Sequence, residues 1–300
     1  QLTVNQLVAG SSPARGANLL INLFFLKILY FLKPEIFFLF VGFISLSLIT
    51  LIIGKTVQNW DDDPDRGAME LSNGEFGESH STPVYLDQGW SASDSLWFYN
   101  ITQGSGLIPY DFYLNLEHKD SNELLRSTAS VDKYRYLPQK PTFSNPDGLA
   151  VGFAKESYQG KDYMGYTCAA CHTSQVNYKG QAIRIDGGPS MANMVGYLHA
   201  MEKGLKQTIS DKDKNKRFVD AVLALNNDYD NAEEVNLDLI KWTGSIGLYN
   251  SINHSHIKYG YARLDAFGRI YNRVLQYVPN KEQVHDILSQ TTSASGKYIL

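Results

Sequence analysis

The chain is poor in the features that would assign most function classes at once. Two cysteines in 300 residues cannot build a disulfide scaffold, and their separation by only two residues points to cofactor or redox chemistry instead. No Lys/Arg-rich block occurs in the polar part of the chain, and the net charge is -4. A phosphate backbone would find no basic footprint, so nucleic acid is not an expected partner. Disorder is excluded by the 43% hydrophobic content against 19% charged residues, which is enough to bury a sizeable core.

One long hydrophobic run is present. From Ile36 to Ile53 the eighteen residues "IFFLFVGFISLSLITLII" carry no charge, a length at the lower end of what crosses a bilayer as a helix. Residues 18–54 are therefore predicted to be a membrane anchor. Arg15, Lys27 and Lys33 precede the run and "DDDPD" follows it at 61–65, so the positive-inside tendency puts the bulk of the chain outside the cytoplasm. No small-residue cleavage site stands directly after the run, which favours an uncleaved anchor over a signal peptide. The expectation is a single-pass protein of a bacterial inner membrane with its main domain in the periplasm. Residues 1–17, which include "GSSP", are expected to be an extension foreign to the folded protein.

Residues 55–84 are rich in Asp, Gly, Ser and Glu and sparse in apolar residues, which reads as a polar linker. Beyond it, Leu96, Trp97 and Tyr99, then Tyr113, Leu114 and Leu116, suit short helices around a Gly/Pro loop. "QAIRIDG" (181–187) alternates like a strand. "SMANMVGYLHAMEKGL" (190–205), with Ser190 as its predicted cap, and "RFVDAVLALNND" and "ARLDAFGRIYNRVLQYV" carry apolar residues at helical spacing. The predicted fold is mainly α with long loops, over residues 85–300.

Both cysteines lie in "GYTCAACHTS", residues 165–174. In Cys-x-x-Cys-His the two thiols add to the vinyl groups of haem and the adjacent imidazole becomes an iron ligand. That assigns Cys168 and Cys171 to thioether bonds and His172 to the iron, with one covalent haem c in the chain. A structural zinc site would need four ligands and would have to recruit His254 and His256. A thioredoxin-like dithiol would open a helix in a βαβ unit, which the flanking sequence does not resemble. Met191, Met194, Met201 and His199 are candidates for the sixth iron position, with His254 and His256 further on. Arg184 and Arg263 are candidate partners of the haem propionates, although lone arginines more commonly form surface ion pairs.

"QGWS…FYNITQGSGLIPYDFYLNLE", "NPDGLAVGFA", "YMGYTCAACHT", "IRIDGGPSMANM" and "GYARLDAFGRIYN" together resemble the di-haem cytochrome c peroxidase superfamily and, within it, the rubber oxygenase-like cytochromes. The resemblance covers roughly residues 85–278 and implies cytochrome c-like haem domains with peroxide or O2 as co-substrate. It places Arg263 to Phe267 near the haem, with Phe267 as a wall of the distal pocket. The family carries two Cys-x-x-Cys-His motifs and this chain carries one. The expectation is therefore a chain truncated before a second haem domain, served by that domain or by a redox partner protein. A non-catalytic electron carrier at the membrane is the alternative.

Overall fold

The computed structural model describes residues 33–58, 60–225, 228–254 and 259–262. It divides into two units, Gln1–Val57 and Gln58–Leu300.

The described element of the first unit is helix α1, Pro34–Gln58, whose last residue is counted with the second. Proline suits the first turn because the amide it lacks would have no helical acceptor there, and Glu35 and Lys55 complement the helix dipole at the two ends. Three of its hydroxyls bond back to the helix, Ser47 to the Phe43 carbonyl at 2.8 Å, Thr50 to the Leu46 carbonyl at 2.9 Å and Thr56 to the Ile52 carbonyl at 2.8 Å, which meets their polarity inside an apolar segment. Residues Pro34–Val57 have a mean hydropathy of 2.8 and none of that surface is buried within the protein. The helix is long and apolar enough for a membrane span or a signal sequence.

The second unit is not mainly α. Helix accounts for 45% and strand for 14% of the described residues, and the strands form two three-stranded sheets. This corrects the expected mainly α, cytochrome c-like haem domain. One sheet is antiparallel, with β4 (Lys161–Tyr166) between β2 (Ile108–Pro109) and β3 (Phe153–Tyr158). In the other, β6 (Gln181–Asp186) lies between β1 (Val84–Tyr85), parallel to it, and β5 (Thr173–Tyr178), antiparallel to it. Both hairpins turn in two residues with positive φ, Gln159-Gly160 (51° and 79°) and Lys179-Gly180 (50° and 76°). That turn matches the right-handed twist of paired strands.

Helices α2 (Ala92–Asn100), α3 (Tyr110–Asn115) and α4 (Thr128–Lys133) precede the hairpins, and the single turn α5 (Cys168–Cys171) joins β4 to β5. The chain then runs through α6 (Met194–Ser210), α7 (Lys212–Ala224) and α8 (Ala232–Ile252). Helix α6 begins three residues later than expected, and its cap is Asn193, whose side chain accepts from the Gly196 amide. Ser190 instead accepts from the Ala192 amide. The core gathers Phe112, Leu116, Tyr197, Leu205, Val222 and Leu239, all buried. At its centre the Phe153 ring meets Tyr136, Tyr166, Tyr197 and Tyr113 at centroid distances of 4.7, 5.0, 5.6 and 6.0 Å. Edge-to-face pairs at such distances add to the burial of the rings themselves.

The predicted 55–84 linker is a second correction, because from Asp61 onward it is strapped to the domain. Asp61 is buried and accepts from the Ser144 amide and the Thr142 hydroxyl at 2.9 and 3.1 Å. Lys140 Nζ lies 3.4 and 3.1 Å from Asp63 and Asp65. Arg66 reaches Asp186 at 3.3 Å, and Val84 pairs with Ile183 in the sheet. Polar composition here marks ion pairs rather than solvation.

Glu117 accepts two hydrogen bonds from Arg217 at 2.8 Å and one from the buried Lys214 at 2.9 Å. These bonds, Arg217's foremost, outweigh burial and hold its carboxyl below the ordinary value of 4.5. A depressed carboxylate stabilises the fold above its unfolded pKa and loses that contribution as pH falls through the folded one. Urea melts of Glu117→Gln should therefore show a lower midpoint than wild type at neutral pH. The gap should close as the pH drops below about 4.5.

Candidate functional site

The Cys-x-x-Cys-His segment is the connection between the two sheets. Strand β4 ends at Tyr166, Thr167 caps the turn, α5 takes Cys168–Cys171, and β5 starts at Thr173. The Thr167 hydroxyl accepts from the Ala169 amide at 3.2 Å and donates to the Tyr99 carbonyl at 3.2 Å, while its amide donates to the Gly152 carbonyl at 2.7 Å. At the exit, the His172 amide donates to Cys168, the Gly187 amide to His172 and the Ser190 amide to Cys171, at 2.9, 2.7 and 2.9 Å. Three neighbouring segments, at Tyr99, at Gly152 and at 187–190, thus hold these six residues.

The side chains divide by chemistry. Ala169 and Ala170 are buried, and Ala169 packs with Leu96, Tyr99 and Val151. Cys168 and His172 are exposed and Cys171 is half-exposed. Both cysteines carry thiols rather than a disulfide. The small residues are the part the fold consumes, and the two sulfurs and the imidazole are the part it presents. Reactive thiols need access as well as chemistry.

Beside this turn lies a cavity of about 500 Å³, within the range of small-molecule and cofactor sites. Thr173, Gln175 and Asn177 line it from β5, and Arg184, Met191, Leu137 and Phe76 contribute from other elements. Arg135 and Glu78 at its edge form an ion pair. Burial works to raise the Glu78 carboxyl, but Arg135 and nearby backbone amides more than offset it and leave the group below its ordinary value.

The sequence-predicted site residues are only partly brought together. Arg184 is not on the surface: it is 1% exposed and lines the cavity, so the alternative of a surface ion pair is corrected. Met191 is half exposed and also lines the cavity. Met194 and Met201 are packed in the core, and His199 lies 3.7 Å from Glu202 on the side of α6. Arg263, Phe267 and His256 lie outside the described residues. Arg135, Gln175 and Thr173 were not singled out by sequence, although residues 173, 175 and 177 alternate as one face of a strand does.

The residues fit a covalent haem by their donor set: two accessible thiols one helical turn apart, followed at once by an accessible imidazole. Among the described residues no group of three or more His, Cys, Asp or Glu side chains is placed to hold a bare metal ion.

No family model matches the sequence, and no solved structure matches it. Among curated proteins it is similar to "Uncharacterized protein y4iJ" of Sinorhizobium fredii, with 30% identity over 218 residues, or 64% of this chain. The chain spans 36% of that relative's length.

Proposed function

We propose that this chain is a membrane-tethered c-type haem oxidoreductase whose main domain faces the periplasm. The observation that carries the reading is the outward presentation of Cys168, Cys171 and His172 on a turn that three neighbouring segments hold in place. The cysteine thiols form the thioether bonds and the His172 imidazole coordinates. When bound, the haem supplies a one-electron iron couple, and peroxide or O2 is the co-substrate class that the resemblance to di-haem peroxidases and rubber oxygenase-like cytochromes supports. The second haem of that arrangement belongs to a further domain or a partner protein. Of the sixth-ligand candidates among the described residues, Met191 combines exposure with a place at the cavity.

Export of the full chain alongside a bacterial haem-attachment system tests the reading. Wild type should carry one covalent haem by stain on a denaturing gel and by pyridine haemochrome, and Cys168→Ala/Cys171→Ala should carry none. A wild-type chain that stays colourless while a control cytochrome in the same cells is loaded would overturn it. Carbon monoxide then separates catalysis from carriage: a reactive ferrous haem supports O2 or peroxide chemistry, and an inert low-spin one supports an electron carrier.

A further inference from the structure

Buried charges are matched by countercharges in most folds, and at Arg184 the match is missing. Its Nε and Nη2 donate to the neutral Gln175 Oε1 at 3.2 and 2.8 Å, the neutral Tyr85 hydroxyl also lies within its hydrogen-bonding reach, and Nη1 has no acceptor among the described residues. Asp186, two residues along the strand, is taken by Arg66, Ser95 and Tyr99. Gln175 cannot turn away: its Nε2 donates to the His80 Nε2 at 3.1 Å and to the Asn177 Oδ1 at 3.0 Å. The His80 Nδ1–H in turn donates to the Ser81 carbonyl at 2.8 Å. A fixed guanidinium without an anionic partner among the described residues therefore lines a cavity whose other walls include Phe76, Leu137 and Met191. An unpaired buried charge is among the costliest features a fold can carry, and guanidinium N–H groups bind carboxylates more strongly than neutral acceptors. Arg135, the other cation at the cavity, already has Glu78.

We propose that this cavity binds a carboxylate on an apolar body, with the carboxylate drawn to the Arg184 guanidinium and the body against Phe76, Leu137 and Met191. Two sources share that chemistry: a free amphipathic carboxylic acid, or a propionate of haem attached at Cys168 and Cys171. The second source rests on the haem reading and the first does not.

Octanoate and its neutral counterpart octanol are the probes, titrated calorimetrically into the haem-loaded full chain and into the haem-free Cys168→Ala/Cys171→Ala chain. Octanoate should bind at least one of them, on the order of tenfold more tightly than octanol and than the same chain carrying Arg184→Met. Binding to both forms identifies a free carboxylate as the ligand, and binding to the haem-free form alone identifies a haem propionate as the natural occupant. Gln175→Glu gives Arg184 a carboxylate of its own, so it should raise the melting temperature and abolish octanoate binding, which keeps the test open if Arg184→Met does not fold. The proposal falls if neither form binds octanoate, if octanol binds equally well, or if Gln175→Glu binds octanoate as wild type does. A chain that takes up no haem yet binds octanoate through Arg184 would refute the haem reading and leave this site standing.

Discussion

Gly152→Ala should unfold the domain around the cysteine turn, with a loss of about 3 kcal/mol or more. Gly152 has φ +80°, and a Cβ there would sit 2.0 Å from the Ala170 amide nitrogen and 2.4 Å from its Cα. Neither atom belongs to a flexible side chain. The turn would have to move as a body, which would break the bond from the Thr167 amide to the Gly152 carbonyl and pull Ala169 out of its apolar cluster. Gly165, three residues before Cys168, is tighter still, since its Cβ would lie 1.4 Å from the Ser105 carbonyl oxygen. Denaturant melts measure the stability loss, and the covalent haem yield measures whether the turn survives. Ala at 77, where nothing lies within 4 Å although φ is +75°, is the control for conformational strain alone. A Gly152→Ala chain no less stable than Gly77→Ala would show that the close approach is not needed.

Asp186→Ala should cost roughly 3 kcal/mol and lower the melting temperature by about 6–12 °C. The carboxylate is 1% exposed and accepts from Arg66 at 3.3 Å, from the Ser95 hydroxyl at 2.6 Å and from the Tyr99 hydroxyl. Burial, with Tyr85 and Asp186 adding to it, keeps the Tyr99 phenol protonated, so it remains a donor. Alanine would strand the buried Ser95 and Tyr99 hydroxyls and take the anion from the half-buried Arg66, and leaving polar groups without partners is what makes such deletions expensive. Limited proteolysis should show new cuts in residues 61–90, which Asp186 and its neighbours hold down. Arg66→Ala alone should cost less, and the double variant less than the sum, because the two share one interaction. Fully additive losses would mean that Arg66 and Asp186 act independently.

Legibility in the sequence followed the range of the forces involved. Helix α1 and the helices at Leu96, Tyr113 and Phe218 were readable because apolar spacing is a local signal. Strands β3 to β5 were not, because Ser157 and Tyr158, and Val176 to Tyr178, are exposed in succession and leave no clean alternation. The local trace of these hairpins was the pair "YQGK" and "YKGQ", each a two-residue turn. Helix α8 was hidden by the Glu, Asn and Asp residues spread along it. The 61–84 strap was misread because Arg66 finds Asp186 across 120 residues of sequence, and no local pattern announces such a partner. The thiols and imidazole of the site were visible from spacing alone. The burial of Arg184 was not, since it depends on the β5–β6 hairpin bringing Gln175 alongside.

The strap also determines how the domain would yield to force. A pull on the N-terminal side of Gln58 loads the Asp61 clasp first, then Lys140 with its two aspartates, then Arg66 on Asp186, then the Glu75 amide on Asp132 and Glu78 on Arg135, and after these the β1–β6 pairing. These contacts open one after another rather than together, so tension is spent on side-chain ion pairs before it reaches the sheet that follows the cysteine turn. The strap is a graded shock absorber in front of the site.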